Sequence, residues 1–141
     1  MDARYFNPSM EAAIKEAESK GFEVIRGTPT ALLLDLDTPG QRLRFEEMYV
    51  LFLEFYEPDW DPEQWKSKGG NTHVVLHLKN PLPVEHRIAL ETILGSDPKR
   101  SLFALERVKA GVEEPGLLFK PKLKGLEDTS IPRTFGLGTV V

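Results

Sequence analysis

The chain has 141 residues, 40% of them apolar and 28% charged, with a formal net charge of −4. That length and composition suit one domain with a real hydrophobic core. The absence of cysteine excludes disulfides, thiolate metal sites and cysteine nucleophiles, and the acidic balance argues against a generic polyanion binder. No apolar run approaches a membrane span and Met1-Asp2-Ala3-Arg4 lacks a signal-peptide pattern, so a cytoplasmic protein with no membrane partner is expected.

Asn7-Pro8 reads as an N-cap followed by proline at the first helical position, and Met10, Ala13, Ile14 and Ala17 repeat at helical spacing until Gly21. Phe22 to Gly27 is short and β-prone, and with Thr30 to Leu36 it predicts a hairpin around Thr28-Pro29. Thr38, Pro39 and Gln41 match a capping box for a long helix with the stripe Phe45, Met48, Tyr49, Phe52, Phe55 and Tyr56, stopped at Glu57-Pro58. Leu51 and Leu53 lie off that stripe, so the helix is expected to be buried on more than one side.

Gln64-Trp65-Lys66 reads as a short strand. From Thr72 to Lys79 the chain alternates, with Val74, Leu76 and Leu78 on one side and His73, Val75, His77 and Lys79 on the other. Pro81 and Pro83 introduce a helix carrying Val84, Ile88, Leu90, Ile93 and Leu94. Asp97-Pro98 opens another, with Leu102, Leu105 and Val108 expected in the core. Gly116 to Lys120 reads as a last strand, and 125–141, which lacks a period, as a flexible or partner-docking tail after a single domain over 1–124. The order predicts an α+β fold with helices against one sheet face and a polar opposite face.

Three polar features are candidates for one site on that face. In the run Ala31-Leu32-Leu33-Leu34-Asp35-Leu36-Asp37, Leu32, Leu34 and Leu36 point one way, and Asp35 and Asp37 point together the other way. Two carboxylates so placed repel unless a shared proton or a cation resolves the conflict, and oxygen ligands suit magnesium or manganese. Their bland alternative is a solvated strand end before a turn. The second feature, Ser67-Lys68-Gly69-Gly70-Asn71-Thr72-His73, is a glycine-containing loop that delivers a histidine to a strand, with backbone amides able to approach a phosphate. The third, Ser96-Asp97, supplies another carboxylate, although Asp-Pro before a helical pattern is also simply an N-cap signature. Trp60 and Trp65 can stack on bases or cover the sheet edge.

In this order, Leu34-Asp35-Leu36-Asp37, Ser67 to His73 followed by Val74-Val75-Leu76, and Leu94-Gly95-Ser96-Asp97-Pro98 resemble the archaeo-eukaryotic primase superfamily, in particular the compact primase-polymerase domains of phages and plasmids. Arg107 with Pro115-Gly116-Leu117-Leu118-Phe119-Lys120 is similar to the family's arginine-rich segment and following basic strand, with a longer spacer. The resemblance covers roughly Gly21 to Lys122. It implies an RRM-like antiparallel or mixed sheet, with two magnesium or manganese ions at Asp35, Asp37 and Asp97 as the catalytic centre. It also implies nucleotide binding by Ser67, Lys68, Asn71, His73, Arg100 and Arg107, and in-line nucleotidyl transfer from nucleoside triphosphates onto a primer on a single-stranded or primed DNA template. A replicative helicase or another replication protein is the partner such a domain implies. The alternative within the same sheet is a non-catalytic nucleotide or single-stranded DNA-binding module of a replication complex. A relaxase-type nuclease is disfavoured, since His73 and His77 are four apart and Tyr5, Tyr49 and Tyr56 lie on other elements.

Overall fold

The structure is a computed structural model and describes residues 8–67 and 69–121. The expectations for the Asn7 cap, Tyr5, Lys68 and the 125–141 tail therefore lie outside the described residues. The fold is α+β: α1 (Pro8–Ser19), β1 (Phe22–Arg26), β2 (Ala31–Leu36), α2 (Pro39–Phe52), β3 (Glu63–Lys66), β4 (Thr72–His77), α3 (Val84–Ile93), α4 (Pro98–Lys109) and β5 (Leu117–Pro121).

The strands form two antiparallel sheets. β2, β4 and β3 make one, in the order β2-β4-β3, and β1 pairs with β5 in the other. The hairpin expected between β1 and β2 does not form. The Thr28-Pro29 turn exists, with the Ala31 amide donating to the Thr28 carbonyl at 3.1 Å, but the neighbouring carbonyls of Thr30 and Pro29 accept from Leu78 and Leu82 at 2.8 Å each. The chain thus turns a corner from one sheet into the other, because β5 already holds β1 and β4 already holds β2.

Alternation in β2 and β4 sets the core. Leu32, Leu34 and Leu36 with Val74, Leu76 and Leu78 form one buried face, on which Phe45, Tyr49 and Phe52 of α2 and Leu90 and Leu94 beside α3 pack. The α2 aromatics stack in sequence, with ring centroids 5.2 Å apart for Phe45–Tyr49, 5.9 Å for Tyr49–Phe52 and 4.9 Å for Phe52–Tyr56. Only this stripe is buried. Phe55 is 73% exposed, and Leu51 and Leu53 are also exposed, so the expected burial of α2 on several sides is corrected.

The opposite face is not the open polar platform expected. Ala31, Leu33, Val75 and Trp65 cluster there with Leu118 of β5 and, partly, Ile25 of β1. Apolar residues at those outward positions need cover, and the β1–β5 ribbon supplies it. Trp65 Nε1 donates to the Phe119 carbonyl at 3.0 Å, and Lys120 Nζ lies 3.1 Å from Glu63 Oε2, tying the two sheets together.

α4 also departs from expectation: none of its residues is buried, and Leu102 is 64% exposed. Its inward stripe is instead Arg100, Ser101, Ala104 and Arg107, which line a cavity beside β2. Arg100 Nη2 donates to the Leu117 carbonyl at 2.8 Å, so the guanidinium rather than a leucine faces the body of the protein.

The link between α3 and α4 is tightly placed. Gly95 has φ +110°, and a Cβ there would lie 2.6 Å from the Gln41 carbonyl oxygen. Gly95→Ala therefore meets both an unfavourable backbone region, worth about 1–3 kcal/mol, and a clash with main chain that cannot rotate away. Gly40→Ala, inside α2 with only Thr38 Oγ1 at 3.8 Å, gains roughly 0.5–1 kcal/mol of helix preference. In denaturant titrations Gly95→Ala is expected to lower the midpoint and Gly40→Ala to hold or raise it.

Candidate functional site

β2 is an edge strand, and its outward amides are taken by side chains instead of by another strand. The Leu33 amide donates to Glu91 Oε2 at 2.8 Å, the Asp35 amide to Ser96 Oγ at 3.3 Å, and the Asp37 amide to Gln41 Oε1 at 2.6 Å. The last bond belongs to the cap of α2. Thr38 Oγ1 accepts from the Gln41 amide at 3.1 Å while the Gln41 side chain reaches back, to Asp37 and not to Thr38. The backbone carrying the acidic pair is thus held from three sides.

Asp35 and Asp37 share one side of the strand end. Asp37 is pushed up to about 6, first by burial, then by the neighbouring Asp35 carboxyl, and further by the negative charge of Asp97. Asp97 caps α4, accepting from the Lys99 amide at 3.0 Å, and lines the same cavity. Asp97 is thus the N-cap that Asp-Pro implied, and it shares that cavity with Asp35 and Asp37. Asp35 Oδ1 is buried without a hydrogen-bond partner, 3.4 Å from His73 Nε2, as the cross-strand pairing of Asp35 with His73 requires.

His73 is pushed down to about 4 by burial and by the Arg100 charge, against weaker favourable contributions from the Phe119 backbone and Asp37. Its imidazole is neutral at pH 7 and stands edge-on to Trp65, with centroids 5.5 Å apart. Trp65 is buried under this ring, while Trp60 is exposed and stacks on His77 at 4.3 Å. His77 itself bonds to Glu63 at 3.0 Å, away from the carboxylates.

The cavity against β2 has a volume of about 290 Å³. Asp35, Asp37, Glu91 and Asp97 line it together with Ser96, Lys99, Arg100 and Arg107. Arg100 Nη1 is 4.0 Å from Asp35 Oδ2, too far for a tight ion pair. Arg107 is shifted down, first by burial and then by the Arg100 charge, so the two guanidinium groups crowd one another as the carboxylates do.

Ser67 and Asn71 are not brought to this cavity. They close the β3–β4 turn, with Ser67 N donating to the Asn71 carbonyl at 2.8 Å and Asn71 N to Ser67 Oγ at 3.2 Å. Ser67 lines a second cavity of about 390 Å³ with Ala13, Ala17, Phe22, His73 and Phe119. Glu91 and Arg87 were missed from sequence. Glu91 is pushed up to about 7, mainly by burial, against the Leu33 amide bond and the Arg100 and Arg87 charges. Arg87, buried, makes a two-pronged pair with Glu114 at 2.9 and 3.1 Å. A glutamate and an arginine four residues apart on a helix otherwise packed against a sheet were the available signal.

The donor set of Asp35, Asp37 and Asp97 suits a hard divalent cation, and the unpartnered Asp35 oxygen together with the raised pKa of Asp37 marks crowding of negative charge there. Among the described residues, no three such side chains already surround one point as a metal site does. No helix among the described residues is long and apolar enough to cross a membrane. Comparison of the chain with protein-family models, with curated proteins and with solved structures gave no match.

The proton on Asp37 makes stability depend on pH in a definite direction. Its folded pKa, about 6, lies above the ordinary 3.8, so the folded state binds the proton more tightly and this group's favourable contribution fades as pH rises through that window. Asp37→Asn is expected to raise the thermal midpoint at pH 7.5, with the advantage disappearing near pH 4; an equal gain at both pH values would contradict the crowding.

Proposed function

We propose that the chain is a minimal primase-polymerase-like nucleotidyltransferase, adding nucleotides to a primer on a DNA template. The observation that carries this reading is that one cavity is lined both by the carboxylates of Asp35, Asp37 and Asp97 and by the guanidinium groups of Arg100 and Arg107, with burial and like charges raising Asp37 and lowering Arg107. Each cluster of like charge is relieved by a ligand of opposite sign. A nucleoside triphosphate carrying a divalent cation relieves both at once, cation against the carboxylates and phosphates against the arginines.

Element order supports the same reading. From β2 to β5 the chain runs β-α-β-β-α-α-β, the β-α-β-β-α-β plan with α4 added, and β4 lies between β2 and β3. An RRM-like core is the fold we infer from it, with its last strand, β5, paired to β1 over the second face instead of joining the β2-β4-β3 sheet. The cavity volume is at the lower end of the ~300–1,000 Å³ typical of small-molecule sites, enough for the phosphate-bearing part of a nucleotide.

In this reading Asp35, Asp37 and Asp97 hold magnesium or manganese, which when bound neutralises phosphate charge and eases deprotonation of the attacking hydroxyl. Arg100, anchored on the Leu117 carbonyl, and Arg107 orient the phosphates. His73, neutral and buried, stands behind Asp35 and keeps its oxygen in place. Ser67 and Asn71 leave the phosphate role, since their hydrogen bonds close a hairpin elsewhere.

The second reading is a non-catalytic nucleotide or single-stranded DNA binder within a replication complex. It is favoured by the lack, among the described residues, of three side chains disposed around a common metal position. One assay separates the two. Primed template, nucleoside triphosphates and manganese are expected to give extension by the native chain and none by the Asp35→Ala, Asp37→Ala double variant. Extension by that variant would reject the enzyme, whereas triphosphate binding without extension by the native chain would select the binder.

A further inference from the structure

The edge of β2 is bonded by side chains at every second residue, and the first of these contacts comes from a residue outside the acidic cluster. Glu91 sits on α3 and sends Oε2 to the Leu33 amide, two residues before Asp35. The backbone carbonyl of the same residue accepts from the Ser96 amide at 3.0 Å, and Ser96 Oγ in turn holds the Asp35 amide. One step further along the chain is Asp97. A single residue therefore ties the strand that bears Asp35 and Asp37 to the turn that bears Asp97.

Building on the reading of the carboxylates as a cation and nucleotide site, we propose that Glu91 is a positioning residue that sets the placement of Asp35 and Asp37 relative to Asp97. It does so as a surrogate for the missing neighbour strand: a fixed acceptor on the edge, carried by the element that also delivers Ser96 and Asp97. A strand with a loose edge can slide or twist, and a slip of one residue would turn both aspartates to the core face. A ligand set divided between two elements depends on such ties, as the outer partners of metal ligands do generally. The requirement is for an acceptor at a given reach. Glutamine meets it, alanine does not, and aspartate falls one methylene short.

Amide hydrogen exchange and manganese affinity together test this. In Glu91→Ala the Leu33 amide loses its acceptor directly, so the informative probe is the Asp35 amide, which Glu91 does not touch. Measured against the Val74 and Leu76 amides of β4, its protection is expected to fall about ten-fold in Glu91→Ala, and manganese affinity by about 10-fold, while Glu91→Gln retains both. Glu91→Asp, which keeps the charge and is the safer variant for folding, is expected to follow alanine. Unchanged relative protection at Asp35, or glutamine and aspartate variants that behave alike, would overturn the proposal. Failure of the native chain to bind manganese would strike the cation reading instead, and the Asp35 amide would then decide the positioning role by itself.

Discussion

An unpaired strand edge is the constraint on which this structure turns. β2 lies at the margin of its sheet, and its outward N–H groups at Leu33, Asp35 and Asp37 are satisfied by Glu91, Ser96 and Gln41. Buried or half-buried amides without acceptors are costly, so three separate elements are recruited to one short stretch of backbone. The consequence is a place where α2, α3 and α4 meet a strand end in register. Side chains from α3, α4, the turn between them and the end of β2, not from one motif, line the cavity that results.

Electrostatics in that cavity works against itself. Asp37 retains a proton well above the ordinary carboxyl range, while the Arg107 guanidinium is pressed downward by burial and by Arg100. His73 is held neutral between these poles. A fold under no functional demand has cheaper ways to arrange such groups, since exposed charges spread apart cost little and neutral packing costs less. The contact of Arg100 with Asp35, at 4.0 Å, is too long for a tight ion pair.

Much of the architecture was legible in the residues. The period-two pattern in β2 and β4, the Thr38 and Asp97 caps, and the Gly21 stop all sit where the sequence implied. The placing of Asp35 opposite His73 follows from strand parity and cross-strand pairing, which are local consequences of chain geometry. What was not legible depends on partners distant in the chain. β1 pairs with β5, roughly ninety positions away, and no local pattern announces that preference over a hairpin with β2. The same partner covers Leu33, Val75 and Trp65, which is why a face that looked half polar is closed. On α4 two stripes compete, the leucines and Arg100-Ala104-Arg107. Hydrophobicity alone selects the wrong one, because the Leu117 carbonyl that Arg100 bonds belongs to another segment. Glu91 escaped notice for the same reason: its acceptor role exists only once an edge amide needs it.

The two tryptophans differ in environment in a useful way. Trp60 is exposed against His77, whereas Trp65 is enclosed, its indole N–H spent on the Phe119 carbonyl and its ring perpendicular to His73. Short-wavelength emission therefore originates from the one indole that abuts the imidazole behind Asp35. That imidazole, 3.4 Å from the Asp35 carboxylate, is thus adjacent to an optical reporter native to the chain, free of any attached label.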